Sequence, residues 1–89
     1  MRKILSTGRF RKDFKRMEKR GVDSNLLEEV LEKLCKGETL DEAYKDHLLQ
    51  GRSDPERECH ITPDWLLIYV FEGDKVRLVR TGTHSDLFK

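Results

Sequence analysis

The sequence predicts an α+β domain in which N-terminal helices pack on one face of a largely antiparallel sheet. Apolar residues recur at helical spacing between residues 10 and 34, which indicates two amphipathic helices. Strand-like segments follow, with an apolar run over 65–71 and a Gly-Asp pair at 73–74 that is typical of a hairpin turn. Helices followed by a run of strands indicate this class. At 89 residues the chain forms a single domain, 1–89, with a small core.

The first half of the chain predicts a short strand and two helices. The stretch "KILS", residues 3–6, is β-like, and the helix that follows over 9–20 ends at Gly21. Its apolar positions are Phe10, Phe14 and Met17. A second helix begins at 23–25 and ends at Gly37, and the short link between the two predicts an antiparallel helical hairpin.

A third, short helix is predicted before the strands begin. The stretch "TLDE", residues 39–42, matches a capping box in which Thr39 caps the helix and Glu42 reaches back to it. This helix would run towards Tyr44. Residues 50–58 contain a glycine and a proline that interrupt regular structure, so we expect a loop there.

Three strands are predicted in the last part of the chain. In "ERECHI", Cys59 and Ile61 share one face of a strand, so Glu58 and His60 share the other. The run "WLLIYVF" is apolar on both faces, which is typical of a central strand covered on both sides. "VRLVRT" returns as its partner, and the sequence leaves open whether Arg80 lies on the same face as His60.

Cysteine usage and hydropathy predict a cytoplasmic chain with no membrane partner. Cys35 and Cys59 do not make a disulfide framework and are expected to be buried or half-buried thiols in a reducing compartment. No apolar run approaches the ~18 residues that a membrane span needs. The start "MRKILSTGRF" lacks the apolar stretch of a signal peptide.

Positive charge is concentrated in the first helix, although the net charge of the chain is only +1. Such a segment on a near-neutral chain suggests a localised site for a polyanion such as RNA. A solvated helix face is the alternative, and charge alone does not separate the two. The candidate residues for binding a polyanion are Arg9, Arg11, Lys12, Lys15, Arg16 and Lys19.

Three histidines, a carboxylate and an arginine form a constellation with catalytic potential. Histidine gives and takes protons near neutral pH, and arginine presents a permanent cation to phosphate oxygens. Metal-free RNA cleavage requires these groups, because a base takes the ribose 2′-hydroxyl proton, an acid protonates the leaving 5′-oxygen and a cation stabilises the phosphorus between them. The candidates are His47, His60, Asp64, Arg80 and His84.

Each candidate also has a structural interpretation. Any one histidine alone can be a surface or core residue, and the histidines with Asp64 would suit a zinc site, although their spacing matches no compact zinc motif. We therefore expect no metal and no cofactor. Phe88 either anchors the C-terminus or stacks on a base, whereas Trp65 and Tyr69 are expected in the core.

Two C-terminal blocks, "RECHITPDWLLIY" and "RTGTHSDLF", together with "FRKDFKR" and "DHLLQG", resemble the YafQ-type toxins of the RelE superfamily. The resemblance covers nearly the whole chain. It implies a compact RelE-like fold with helices against a curved antiparallel sheet. It also implies a ribosome-dependent endoribonuclease of a type II toxin–antitoxin pair, which cleaves messenger RNA without a metal.

The resemblance also implies residue roles and partners. His84 is the general acid supported by Asp64, either His60 or His47 is the base, Arg80 holds the scissile phosphate and Phe88 orients a base. The acid and base assignments stay open. An antitoxin would wrap the toxin, and operator DNA would be bound only through that complex. The basic first helix would then meet ribosomal RNA or an acidic antitoxin segment.

One segment departs from the pattern of these toxins. Between Gly51 and Arg57 the resemblance implies an aromatic and basic loop, whereas this chain has Ser53, Asp54, Pro55 and Glu56. An acidic loop approaches RNA less well. This motivates an alternative, in which the domain is a catalytically weak binding module that acts mainly through antitoxin and operator complexes.

Overall fold

The computed structural model describes residues 1–88 and contains a five-stranded mixed sheet with three helices. The strands are β1 (Lys3–Ser6), β2 (His47–Leu48), β3 (Arg57–Thr62), β4 (Trp65–Glu72) and β5 (Lys75–Gly82). The helices are α1 (Gly8–Lys19), α2 (Ser24–Lys36) and α3 (His84–Leu87), and a 3₁₀ turn spans Glu42–Tyr44. The predicted α+β class is confirmed.

The strands lie in the order β1-β5-β4-β3-β2. The pairs β2–β3, β3–β4 and β4–β5 are antiparallel, and only the edge strand β1 runs parallel to its neighbour β5. The apolar run forms the central strand β4, as predicted, and its residues 65–70 are buried on both faces. β2 was not predicted, because two residues are too short to show a period.

The helices begin and end where the sequence indicates. The Thr7 hydroxyl caps α1 by accepting the backbone N–H of Phe10 at 2.9 Å. Asp23 caps α2 in the same way, and Gly37 ends it in the left-handed conformation with φ 76°.

The predicted capping box over 39–42 is wrong. Asp41, not Thr39, is the N-cap, and its carboxylate accepts the backbone N–H of Ala43 at 3.0 Å. Leu40 is buried in the core, so the chain turns only after that residue and the next side chain able to cap is Asp41. The element that follows is a single 3₁₀ turn that ends at Lys45, which is left-handed with φ 50°.

One face of the sheet and the apolar faces of α1 and α2 enclose the core. Trp65 and Tyr69 lie in it, as predicted, with 1% and 0% exposure. The Trp65 Nε1–H donates to the Thr81 hydroxyl at 2.8 Å, and that hydroxyl donates to the Leu66 carbonyl at 2.6 Å. Both buried polar side chains are therefore satisfied. Phe10, Met17, Leu27, Val30 and Leu34 supply the buried helical residues.

The loop between β2 and β3 crosses the opposite face of the sheet. From this loop Asp54 reaches Arg77 on β5 at 3.5 Å, and the Arg52 guanidinium lies 5.9 Å from the ring centre of Phe88. The apolar β4 residues on this face are Leu66, Ile68 and Val70, none more than 2% exposed. This loop and α3 therefore lie on the same side of the sheet, over the second face of β4.

A bulge in β5 determines where Arg80 lies. Tyr69 pairs with Leu78, but the preceding Ile68 pairs with Arg80, so Val79 is an extra residue in β5. Strict alternation would place Arg80 on the core face with Leu78. The bulge moves it to the opposite face instead.

Candidate active site

A row of side chains runs across four strands on the face opposite the core. His47 on β2 pairs with Glu58 on β3, Glu58 pairs with Ile68 on β4, and Ile68 pairs with Arg80 on β5. His60 is two residues beyond Glu58 and therefore lies on the same face. The sheet thus brings two predicted histidines and the predicted arginine to one surface.

Glu58 lies between the two histidines. Its Oε1 atom is 3.6 Å from Nε2 of His47 and 3.9 Å from Nε2 of His60, and its side chain is 7% exposed. Its Oε2 atom is buried without a hydrogen-bond partner. The sequence placed Glu58 on the face of His60 but did not single it out as a site residue. Its position between two histidines depends on the pairing of β2, which was not predicted.

The hydrogen bond of His47 fixes its neutral tautomer. Its Nδ1 lies 2.8 Å from the Lys45 carbonyl oxygen, and a carbonyl only accepts, so Nδ1 carries the proton and donates. The unprotonated nitrogen of the neutral ring is then Nε2, the atom near Glu58. The left-handed Lys45 backbone ends the 3₁₀ turn just before this contact.

α3 and its C-cap carry two further predicted residues, His84 and Phe88, beyond the end of β5. Thr83 and Asp86 form a capping box, with 2.9 Å from the Thr83 backbone N to Asp86 Oδ2 and 3.2 Å from the Asp86 backbone N to Thr83 Oγ1. The rings of His84 and Phe88 lie with their centres 5.0 Å apart. The C-terminus thus forms a one-turn helix that places the ring of His84 beside that of Phe88.

We expect Gly82→Ala to disturb α3. A Cβ at position 82, where φ is +156°, would lie 3.0 Å from the Asp86 side chain, so that side chain must move by a few tenths of an ångström within the capping box. Such overpacking costs about 1–3 kcal/mol. Thermal unfolding should show this loss, and backbone amide NMR shifts of His84 and Phe88 should change. In Gly73→Ala, where a Cβ meets no atom within 4 Å, the α3 shifts should stay as in the wild type. Unchanged α3 shifts in Gly82→Ala would contradict this expectation.

Arg80 forms a two-bond ion pair with Asp13 of α1. Its Nε and Nη2 donate to the two carboxylate oxygens at 2.9 and 3.1 Å. The Asp13 side chain is 5% exposed and also accepts the Thr81 backbone N–H at 3.3 Å. The hydrogen bond from Arg80 to Asp13 raises the pKa of the arginine, so the guanidinium stays charged.

A second ion pair ties α1 to α3. Arg20, at the end of α1, donates to Asp86 through Nη1 at 2.7 Å and Nη2 at 3.3 Å. These hydrogen bonds, together with those from Thr83, hold the pKa of Asp86 well below its ordinary value. α1 therefore contacts the C-terminal segment at two points, at Arg80 on β5 through Asp13 and at Asp86 on α3 through Arg20.

The family model for the bacterial YafQ toxins of type II toxin–antitoxin systems matches residues 2–89. The chain belongs to this family. The YafQ resemblance seen in the sequence is thereby confirmed.

Known relatives that match along nearly the whole chain agree with this assignment. The mRNA interferase toxin YafQ of Escherichia coli K12 is 41% identical over 88 residues, which cover 98% of this chain and 96% of the relative. The crystal structure of the E. coli DinJ–YafQ complex matches with TM-score 0.92 and 40% identity, covering 100% of both chains. A metal-bound toxin from Helicobacter pylori matches with TM-score 0.94 and 41% identity, covering 99% of this chain and 100% of that one.

Asp64 stands apart from the other predicted residues of this YafQ-family chain. It lies exposed in the turn between β3 and β4 and forms no ion pair with any of residues 1–88. In particular, it makes no salt bridge to His84 among the described contacts. The carboxylate near histidines in this structure is Glu58.

The two carboxylates of the acidic loop over residues 52–56 are paired with arginines of the same chain. Glu56 pairs with Arg52 at 2.8 Å, and Asp54 pairs with Arg77 at 3.5 Å. The loop also brings Arg52 over the ring of Phe88. The segment that was expected to repel RNA thus adds a cation beside the C-terminal aromatic residue.

All six predicted RNA-binding cations of α1 are exposed. Two of them also make internal contacts, since Arg11 donates to the Ser6 carbonyl at 2.7 Å and Arg16 pairs with Asp13 at 3.2 Å. The exposed basic residues are Arg9, Arg11, Lys12, Lys15, Arg16 and Lys19.

Among residues 1–88 no group of three His, Cys, Asp or Glu side chains is placed to hold a metal ion. No helix there combines the length and the apolar character needed to cross a membrane. Cys35 and Cys59 are free thiols, half-buried and buried respectively.

Proposed function

We propose that this chain is a ribosome-dependent endoribonuclease toxin that cleaves messenger RNA and is held inactive by an antitoxin. The observation that carries the proposal is the row on one face of the sheet that includes His47 and Arg80, with His60 beside it. α3 adds His84 and Phe88 just beyond the end of β5. The names of the E. coli relatives support messenger RNA as the substrate.

The base in this reaction is His47 or His60. It takes the proton of the ribose 2′-hydroxyl, and the resulting oxyanion attacks the adjacent phosphorus. The tautomer of His47 supports such a role, because the bond from Nδ1 to the Lys45 carbonyl leaves Nε2 as the proton acceptor. No protein nucleophile is needed, since the RNA supplies its own.

His84, Arg80 and Phe88 complete the proposed reaction. His84 donates a proton to the leaving 5′-oxygen, with Asp64 as its supporting carboxylate. Arg80 uses Nε and Nη2 for Asp13, so its Nη1 side is proposed to meet the phosphate. Phe88 orients a base, and the nearby Arg52 adds a cation there.

The proposed partners follow from the surface and from the relatives. The exposed cations of α1 suit ribosomal RNA or an acidic segment of an antitoxin. The DinJ–YafQ structures support an antitoxin as the binding partner. Operator DNA would be bound only through that complex, and the toxin would act in the cytoplasm, where the ribosomes are.

A binding module with weak catalysis is the second candidate, motivated by the acidic loop. The internal pairing of Asp54 and Glu56 weakens that motive, because the loop presents less unpaired negative charge to RNA. The two candidates differ in one observable. The binding module forms an antitoxin complex but leaves messenger RNA intact on programmed ribosomes.

The test is an in vitro cleavage assay with a defined messenger RNA, run with and without ribosomes. We expect cleavage only when the message occupies ribosomes, and inhibition when the cognate antitoxin is added. Equal cleavage of free message would overturn ribosome dependence. No cleavage in either condition would favour the binding module.

A further inference from the structure

A cavity of about 460 Å³ opens at the edge of β3, next to His60. Its volume falls within the range of about 300–1,000 Å³ that is typical of small-molecule sites. The wall consists of residues 43–45 around the 3₁₀ turn and residues 60–63 from β3 and the turn after it. Apolar groups form most of this wall, and a lysine, a threonine and a histidine add polar atoms. An apolar hollow with a few polar groups beside a reactive centre is the usual form of a ligand site.

The cavity exists because β2 begins only at His47, which pairs with Glu58. In the same register an extended chain would place Lys45 opposite His60 and cover the edge of β3. Lys45 instead has a left-handed backbone with φ 50°, and the residues before it coil into the 3₁₀ turn. A left-handed residue other than glycine is uncommon, and such residues cluster at functional sites. The edge of β3 beyond Glu58 therefore faces the cavity.

Lys45 connects the cavity with the histidines of the candidate active site. Its carbonyl oxygen accepts the Nδ1 proton of His47 at 2.8 Å, and the residue also lines the cavity. The neighbouring carboxylate of Asp46 is bound by Arg57, and in the described part of the chain the exposed Lys45 ammonium forms no salt bridge. His60 lies in the wall that β3 forms. A nucleotide whose ribose reaches either histidine therefore has its base beside the cavity.

We propose that this cavity binds the nucleobase on the 5′ side of the cleaved bond, an inference that rests on the proposed function. The ribose of that nucleotide carries the attacking 2′-hydroxyl, so it meets His47 or His60. The leaving 5′-oxygen belongs to the next nucleotide, which lies at the β5 side of the sheet, towards His84 on α3. The message then crosses the sheet from β3 to β5 in its 5′ to 3′ direction.

The residues of the cavity wall suit the parts of a nucleotide. Ile61, Pro63 and the ring of Tyr44 offer apolar surface to the face of a base. The Thr62 hydroxyl is able to donate to or accept from the edge of the base. The Lys45 ammonium supplies a cation for a phosphate of the same nucleotide. Stacking surface, a polar group for the base edge and a cation are the elements of single-stranded RNA recognition.

Nucleotide binding tests the cavity without any cleavage. The probes are the four nucleoside 3′-monophosphates, titrated to millimolar concentration and followed by backbone amide NMR. We expect at least one of them to shift the amides of residues 43–45 and 60–62. Ala43→Trp places a bulky ring at an exposed position of the wall and should weaken this binding by about fivefold or more. Asn25→Trp, at an exposed position of α2 outside the cavity, is the matched control and should bind like the wild type.

Cleavage on programmed ribosomes tests the direction of the message. Single-turnover rates are compared for messages that differ only in the nucleotide 5′ of the cleaved bond. Thr62→Val keeps the shape of the side chain and removes its hydroxyl, so it should change the ratios of these rates by about fivefold or more. The ratios among messages varied on the 3′ side should stay as in the wild type. Lys45→Gln should raise the toxin concentration for half-maximal rate and leave the maximal rate unchanged.

Three results would overturn the inference. They are an absence of amide shifts around the cavity with every probe, unchanged 5′ discrimination in both Ala43→Trp and Thr62→Val, or a change confined to the nucleotide on the 3′ side. A wild-type chain that binds the probes in the cavity but leaves messenger RNA intact on ribosomes would instead overturn the proposed function. The two failures are thereby distinguishable.

Discussion

Replacing His84 with alanine is expected to lower messenger RNA cleavage by about 10²–10⁴-fold, the usual contribution of a general acid. His84 is exposed on α3 and its ring lies 5.0 Å from that of Phe88. Because an exposed side chain contributes little to folding, thermal stability should change by less than about 0.5 kcal/mol. The loss therefore reports chemistry rather than unfolding. Single-turnover cleavage on programmed ribosomes measures it, and growth after induction without antitoxin gives the cellular counterpart.

Two variants control for the effect of His84. Ser85→Ala changes an exposed neighbour in the same helix and should leave cleavage intact. His84→Gln keeps a polar side chain of similar length but cannot exchange a proton near neutral pH, so it should be as inactive as the alanine variant. Activity in either His84 variant within a few-fold of the wild type would exclude His84 as the acid.

Replacing Asp13 with alanine is expected to have a large effect on stability. Asp13 is almost fully buried and accepts two bonds from Arg80 and one from the Thr81 backbone. Removing Asp13 leaves the half-buried Arg80 guanidinium and the buried Thr81 N–H without their acceptor, which costs about 1–3 kcal/mol. In a domain of this size each kcal/mol lowers the melting temperature by roughly 4–8 °C. Cleavage should also fall, since Arg80 loses the contact that orients it.

Chemical denaturation and thermal unfolding measure the effect of Asp13→Ala. Arg16→Ala is the matched control, because it removes the exposed partner of the same carboxylate, an interaction worth at most about 1 kcal/mol. An Asp13→Ala variant as stable as Arg16→Ala would show that the buried pair does not hold β5 and Arg80 in place.

The helices were predictable because each has a clear cap and an apolar face of several turns. β2 and α3 were not, since two and four residues are too few to show a period. They nevertheless carry His47 and His84. Short elements of this kind depend on tertiary pairing and local capping. β2 is held by the pairing of His47 with Glu58 on β3, and α3 by the capping box of Thr83 and Asp86.

The position of Arg80 shows a second limit of sequence reasoning. Alternation along β5 would turn it towards the core, and only the bulge at Val79 turns it to the face of His60. A single sequence does not reveal a bulge reliably.

The burial of Asp13, in contrast, could have been predicted from the sequence, because Asp13 lies at helical spacing between Phe10 and Met17, on the buried side of α1. A carboxylate at a core position signals a buried cationic partner.

The ends of the cleaved RNA test the proposed chemistry most directly. If the ribose 2′-hydroxyl is the nucleophile and histidines exchange the protons, the upstream fragment carries a 2′,3′-cyclic phosphate and the downstream fragment a 5′-hydroxyl. Mass spectrometry of fragments released from programmed ribosomes by the wild-type chain distinguishes these ends. We expect the cyclic phosphate and the 5′-hydroxyl. A 3′-hydroxyl with a 5′-phosphate would show that water attacks the phosphorus and would contradict the assignment of His47 or His60 as the base for the 2′-hydroxyl.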